Sequence, residues 1–124
     1  MAFMYSYPAR SLLKNGATVA GASDWPITTP DPWKAIYQAV SRKGPKGVLN
    51  ADEDIDRQTM FQAYTLNAAR TLRLEDQIGS LKPGKQADMI VLDRDVFTVK
   101  PEALRDTRVL QTWFAGREIF ARKP

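Results

Sequence analysis

For binding a metal this sequence offers carboxylates alone: it has 14 Asp and Glu residues, no histidine and no cysteine. Catalytic zinc sites are ordinarily built from several His, Cys or carboxylate ligands. A complete catalytic zinc site within the 124 residues is therefore not expected. One acid stands apart from the others. In the stretch GASDWPI, Gly21 to Ile27, Asp24 closes a run of small residues and precedes a Trp-Pro step. A carboxylate there can take up and release a proton only where a reacting group lies within hydrogen-bond reach. The plain alternative is a turn residue whose oxygens accept nearby backbone N–H groups, and on the residues alone this plainer reading is favoured.

The elements that would hold Asp24 follow from the pattern on either side. ARSLLKN, Ala9 to Asn15, reads as the end of a helix stopped by Asn15-Gly16. Thr18 to Ala22 is short, small and apolar, as in a strand buried on both faces. Pro26, Pro30 and Pro32 exclude regular structure until Asp31-Pro32, an N-cap followed by proline at the first helical position. Trp33, Ile36, Tyr37 and Val40 then recur at helical spacing and form one apolar stripe, expected to be core. Helix, strand, loop and helix in that order are the rhythm of an α/β protein with parallel strands.

Further along, Asp56 is placed to cap a helix carrying Met60, Phe61 and Tyr64. Thr65 or Asn67 is expected to interrupt it, because both side chains compete for backbone hydrogen bonds. Helix resumes through Ala68, Ala69 and Leu72 and ends before Gly79. After that the pattern changes. Lys82-Pro83-Gly84-Lys85 reads as a turn, Met89 to Leu92 as a strand, and Pro101 to Leu104 as a short helical turn. VLQTWFAGREIFA reads as two strands around Ala115-Gly116. Asp88 is expected to fix the turn before its strand.

Composition narrows the function classes. The net charge is +4, but the basic residues are scattered. The one cluster, Arg42, Lys43 and Lys46, is split by Gly44 and Pro45 and reads as a solvated helix end. No nucleic-acid motif accompanies it, so no nucleic-acid partner is expected. Arg10 is read as part of a solvated helix face, the other possibility being a carboxylate partner. No apolar run is long enough to span a membrane, and MAFMYSYPAR lacks the apolar centre of a signal peptide. The expected location is cytoplasmic, without a membrane partner.

Two segments carry a family resemblance. YPARSLLKNGATVAGASDWPITTPDPWKAIYQAVSR resembles the last barrel unit of the amidohydrolase superfamily, with its Arg-Ser-Leu-Leu helix leading to a strand that ends in Ser-Asp-Trp-Pro. AYTLNAARTLRLEDQIGSLKPGKQADMIVLDRD resembles the helix and turn that return the chain to the family's small β-sandwich. The branch most similar is amidohydrolase family 3, the YtcJ-like metal-dependent hydrolases. SDWP alone is a weak signal. GSLKPGKQADMIVLD in the same order, at a natural spacing, makes the match specific.

The resemblance implies an α/β fold: a partial (β/α)8 barrel, namely its last helix-strand-helix unit, followed by the C-terminal strands of the β-sandwich. Residues 1–78 would be the barrel portion and 79–124 the sandwich portion. A barrel alone takes about 250 residues, so the chain is expected to be the end of a larger enzyme. That enzyme would hydrolyse non-peptide, amide-like C–N bonds of a small-molecule substrate, using a water activated by a divalent metal, zinc being the first candidate. Asp24 maps onto the family's last-strand aspartate, which approaches or binds the metal and passes a proton from its water to the leaving group. Ser23 would lie near the metal or pack the strand end. The family's His-x-His pair has no counterpart here, so the isolated chain is expected to bind no metal, to be inactive and to self-associate. The alternative is a non-catalytic relative acting as a binding or oligomerisation module.

Overall fold

The computed structural model of the protein describes residues 6–123. Two of the four α-helices among these residues begin on a capping aspartate. Helix α1 covers Ala9–Lys14, with Asn15 as its C-cap. Gly16 follows at φ +80°, a conformation that glycine adopts without a Cβ penalty. Helix α2, Pro32–Ser41, starts on Asp31, whose carboxylate accepts the Trp33 N–H at 3.0 Å. Helix α3, Arg57–Tyr64, starts on Asp56, which accepts the Thr59 amide at 2.8 Å and its hydroxyl at 2.6 Å.

Of the two candidate interrupters, Thr65 is where the chain breaks. Its hydroxyl donates to the Phe61 carbonyl at 2.7 Å, and its backbone leaves the helical region at φ −121°, ψ −93°. Helix α4, Leu66–Thr71, resumes immediately afterwards. Asn67 sits inside α4 and sends its amide outward to the Val19 carbonyl at 3.0 Å.

Two features differ from the sequence expectation. Thr18 to Ala22 pairs with no strand among the described residues, and Thr18, Ala20 and Ala22 are exposed. A parallel strand needs neighbours on both sides, and every pairing among the described residues is antiparallel. The segment is instead tied to the helices, through Asn67 and through the Gly21 N–H donated to Ala63 O at 2.9 Å. The basic cluster is only in part the expected solvated helix end. Arg42 is the C-cap of α2 and Lys43 and Lys46 are exposed, but the two lysines belong to a hairpin. Arg42 takes a left-handed C-cap conformation, φ +56°. Strands β1, Lys43–Gly44, and β2, Gly47–Val48, then form a small hairpin. The Arg42 guanidinium donates to the carbonyls of Leu49 and Ser6, at 3.0 and 3.3 Å. A short 3-10 turn, Ala51–Glu53, leads into α3.

The second half forms an antiparallel sheet in the order β3-β4-β5: Met89–Leu92, Val109–Phe114 and Arg117–Ala121. A 3-10 helix, Pro101–Asp106, separates β3 from β4. Ala115 and Gly116, between β4 and β5, both have positive φ, +48° and +78°, as a tight two-residue hairpin turn of type I′ requires. Asp88 fixes this turn, not the one before its own strand: its carboxylate accepts the Ala115 N–H at 2.8 Å. The Ala87 carbonyl accepts the Gly116 N–H at 3.1 Å.

One core joins both halves. Trp33, Ile36 and Tyr37 of α2 meet Ile55, Met60 and Ala63, and Val96 and Leu104 enter the same cluster from the C-terminal side. Val40 packs at its edge. Among the described residues, Ile36 and Leu104 are the largest side chains almost fully sealed from solvent, each worth roughly 1.5–3 kcal/mol of burial. The stripe read from the sequence is thus the core face of α2. No helix of the described residues is long and apolar enough to cross a membrane.

Candidate functional site

Asp24 stands on a corner that is hydrogen-bonded to itself. The Ile27 N–H donates to the Asp24 carbonyl at 2.9 Å and closes a four-residue turn. Ser23 brackets it: its hydroxyl accepts the Trp25 N–H at 3.3 Å, and its carbonyl accepts the Thr28 hydroxyl. Ser23 thus ties the turn together. The Trp25–Pro26 peptide is cis. Asp24 itself has φ +53°, a left-handed conformation that non-glycine residues adopt uncommonly, Asp and Asn more than most.

The carboxylate of Asp24 is exposed, and among the described residues no hydrogen bond or ion pair engages it. This contrasts with the plain turn role, in which its oxygens would accept nearby N–H groups. Asp31 and Asp56 serve as helix caps, and Asp88 holds the β4–β5 turn. Every acid that the sequence reading proposed for a structural task has one, and Asp24 has none. The described residues contain no group of three or more His, Cys, Asp or Glu able to hold a metal ion. As a donor set this chain provides one free carboxylate at the corner and does not by itself fit a divalent cation.

Other polar clusters are structural. Arg10 keeps 40% of its side chain exposed and is also the partner of Asp54: its guanidinium donates to the Asp54 carboxylate at 2.5 Å and to the Asp54 carbonyl at 2.6 Å. Next to it, Glu53 accepts the Ser11 hydroxyl and, at 2.9 Å, the Ser11 N–H. The hydroxyl first, then the amide, hold the Glu53 carboxyl below its ordinary value. These partners lie more than 40 residues apart in sequence, at separations of 42 and 44, so no local pattern announced them. Asp93 is held well below the usual carboxylate range, first by the forked Arg94 guanidinium at 2.8 and 2.9 Å and then by the Arg108 N–H at 3.0 Å.

The GSLKPGK stretch is a clasp. The Lys85 ammonium donates to the carbonyls of Glu75 and Ile78 and to the Ser80 hydroxyl, the last at 2.8 Å. Gly79, at φ +83°, leaves no room for a side chain: a Cβ there would lie 2.7 Å from that of Ala69. Sequence alone gave the turn but not the lysine's internal role, because its acceptors are mostly backbone carbonyls.

A profile described as the amidohydrolase family matches residues 2–120. The chain belongs to the amidohydrolase family. The match includes the Asp24 corner, the lysine clasp and nearly all of the β-sheet. The reading as a C-terminal segment of an amidohydrolase family 3 protein stands with it. An N-substituted formamide deformylase of Arthrobacter pascens is 35% identical over 111 residues, covering 89% of this chain and 20% of that protein. The Bacillus subtilis protein YtcJ is 30% identical over 117 residues, covering 90% of this chain and 22% of its own length. The crystal structure of an amidohydrolase from Thermotoga maritima MSB8 superposes with a TM-score of 0.70 at 26% identity, covering 92% of this amidohydrolase chain and 26% of the other. The chain thus spans between a fifth and about a quarter of the length of these relatives.

Proposed function

We propose that this chain is the closing part of a partial (β/α)8 barrel, residues 1–78, and of a composite β-sandwich, residues 79–124, in a larger cytoplasmic amidohydrolase. That enzyme would hydrolyse an amide-like, non-peptide C–N bond of a small molecule. The observation that carries the reading is the free, exposed Asp24 carboxylate on a self-bonded corner inside the family match. Support for the bond type comes from family membership and from a relative named as an N-substituted formamide deformylase.

Asp24 is the catalytic residue in this reading. Either carboxylate oxygen accepts the proton of the attacking water and returns it to the departing nitrogen, which must leave protonated. A divalent metal, zinc first among candidates, would acidify that water in the whole enzyme. Its remaining ligands would come from the rest of the protein. The chain's own contribution is to hold the carboxylate on the turn closed by Ser23, Thr28 and Ile27.

The test is Asp24→Asn in the full-length enzyme. We expect kcat to fall by about 10²–10⁴-fold, the range of a lost acid–base group, with an unchanged melting temperature. Unchanged kcat would sink the reading. The isolated 124-residue chain should be inactive and should self-associate. Sheet edges at β3 and β5 are unpaired among the described residues, and such edges recruit further strands. A monomer in sedimentation, or metal-dependent activity abolished by Asp24→Asn in the isolated chain, would refute this.

A second reading is favoured by one observation. Met89, Ile90, Val91, Phe114, Ile119 and Phe120 all leave apolar surface exposed on the sheet. A non-catalytic relative would use that surface to bind a partner, and Asp24→Asn would then leave every property unchanged.

A further inference from the structure

The corner that presents Asp24 also presents two large apolar side chains. Trp25 is 68% exposed and Ile27 79% exposed. Both belong to the turn closed by the Ile27 N–H on the Asp24 carbonyl, which keeps the first and last Cα atoms within about 7 Å. The other two tryptophans behave differently: Trp33 is buried in the core and Trp113 is half-buried in β4. Trp25 has neither a ring partner nor a cation above it among the described residues, whereas Trp33 lies 5.9 Å from the Phe61 ring.

Resting on the reading of Asp24 as the proton carrier, we propose that Trp25 and Ile27 form an apolar platform for the substrate. They set a preference for amides carrying an extended alkyl or aryl group next to the scissile C–N bond. The argument is one of placement. A group that must exchange a proton with substrate lies within hydrogen-bond reach of it. Trp25 and Ile27 follow Asp24 on the same closed turn, and their exposed side chains are its nearest large apolar neighbours along the chain. An indole and a branched alkyl chain reward apolar surface there and offer little to a charged or strongly hydrated group. Specificity and proton transfer would thereby sit on a single turn.

The test uses the full-length enzyme and a series of N-alkylformamides from N-methyl to N-hexyl. In the unaltered enzyme, kcat/KM is expected to rise along the series by as much as about fourfold per methylene, the worth of a buried CH₂. Trp25→Ala should flatten that slope to less than about twofold per methylene, acting through KM more than through kcat. Trp25→Phe should keep most of the slope. A Trp25→Ala enzyme that loses the same factor on every member, or none, overturns the proposal; the uniform loss would show that the indole packs against the rest of the protein. No turnover of any member in the unaltered enzyme, or turnover indifferent to Asp24→Asn, overturns the reading beneath it and this inference together.

Discussion

Asp24 and Asp88 each stand at a tight backbone corner, and they have opposite fates. Asp88 spends its carboxylate on a neighbouring turn, accepting the N–H of Ala115 at a position with φ +48°. Asp24 takes the left-handed conformation itself, φ +53°, and its carboxylate is left without a partner among the described residues. The Asp88 corner is stabilised by the acid, whereas the Asp24 corner is stabilised around it, by Ser23, Thr28 and Ile27. A residue kept in a sparsely populated conformation costs about 1–3 kcal/mol and persists where its surroundings over-determine it. The pair teaches how to separate an acid that builds structure from one that structure presents.

Substitutions at the two corners should therefore have crossed effects. The largest belongs to Asp24→Asn, a loss of about 10²–10⁴-fold in kcat without a change in melting temperature. Asp88→Ala should do the reverse: about 1 kcal/mol of stability lost with the hydrogen bond to Ala115, seen in denaturant midpoints, and kcat little changed. Asp88→Asn keeps an acceptor oxygen and should restore most of that stability. If Asp88→Asn behaved like Asp88→Ala, charge and not the hydrogen bond would explain the corner.

A smaller effect sharpens the same distinction through pH. The Thr59 hydroxyl, then its amide, lower the pKa of Asp56 in the folded protein. A depressed folded pKa means that the stabilisation is fully present above the unfolded value of about 3.9 and is lost as pH falls through the folded value. Removing the cap by Asp56→Ala should cost about 1 kcal/mol near neutral pH. The gap from the unaltered protein should begin to narrow in unfolding curves taken below about pH 4 and keep narrowing as pH falls through the lower folded value. A gap independent of pH would show that the charge of Asp56 has no part in the cap.

Local chemistry made much of this legible in advance. Asp31-Pro32 and Asp56 start their helices, the Trp33-Ile36-Tyr37 stripe is the core face of α2, and Ala115-Gly116 turns the β4–β5 hairpin. Each rests on residues a few positions apart. What escaped was settled at a distance. Arg10 meets Asp54 across 44 residues, and Arg42 turns back to the Ser6 carbonyl across 36. Thr18–Ala22 has strand composition, but a strand exists only with a partner, and among the described residues none lies beside it. Asp24 was singled out by its setting in the sequence. That its carboxylate is free could be learned only from the positions of all the donors that pass it by.

Gly21 lies three positions before Asp24 and gives its N–H to the Ala63 carbonyl at 2.9 Å. A Cβ there would fall 2.7 Å from two ring carbons of Tyr64, so the missing side chain sets the standoff between this segment and α3. It works as a shim of zero thickness. A single methyl inserted at that point would lever the downstream corner away from the helix, leaving the acid chemically intact and out of register with whatever it must reach.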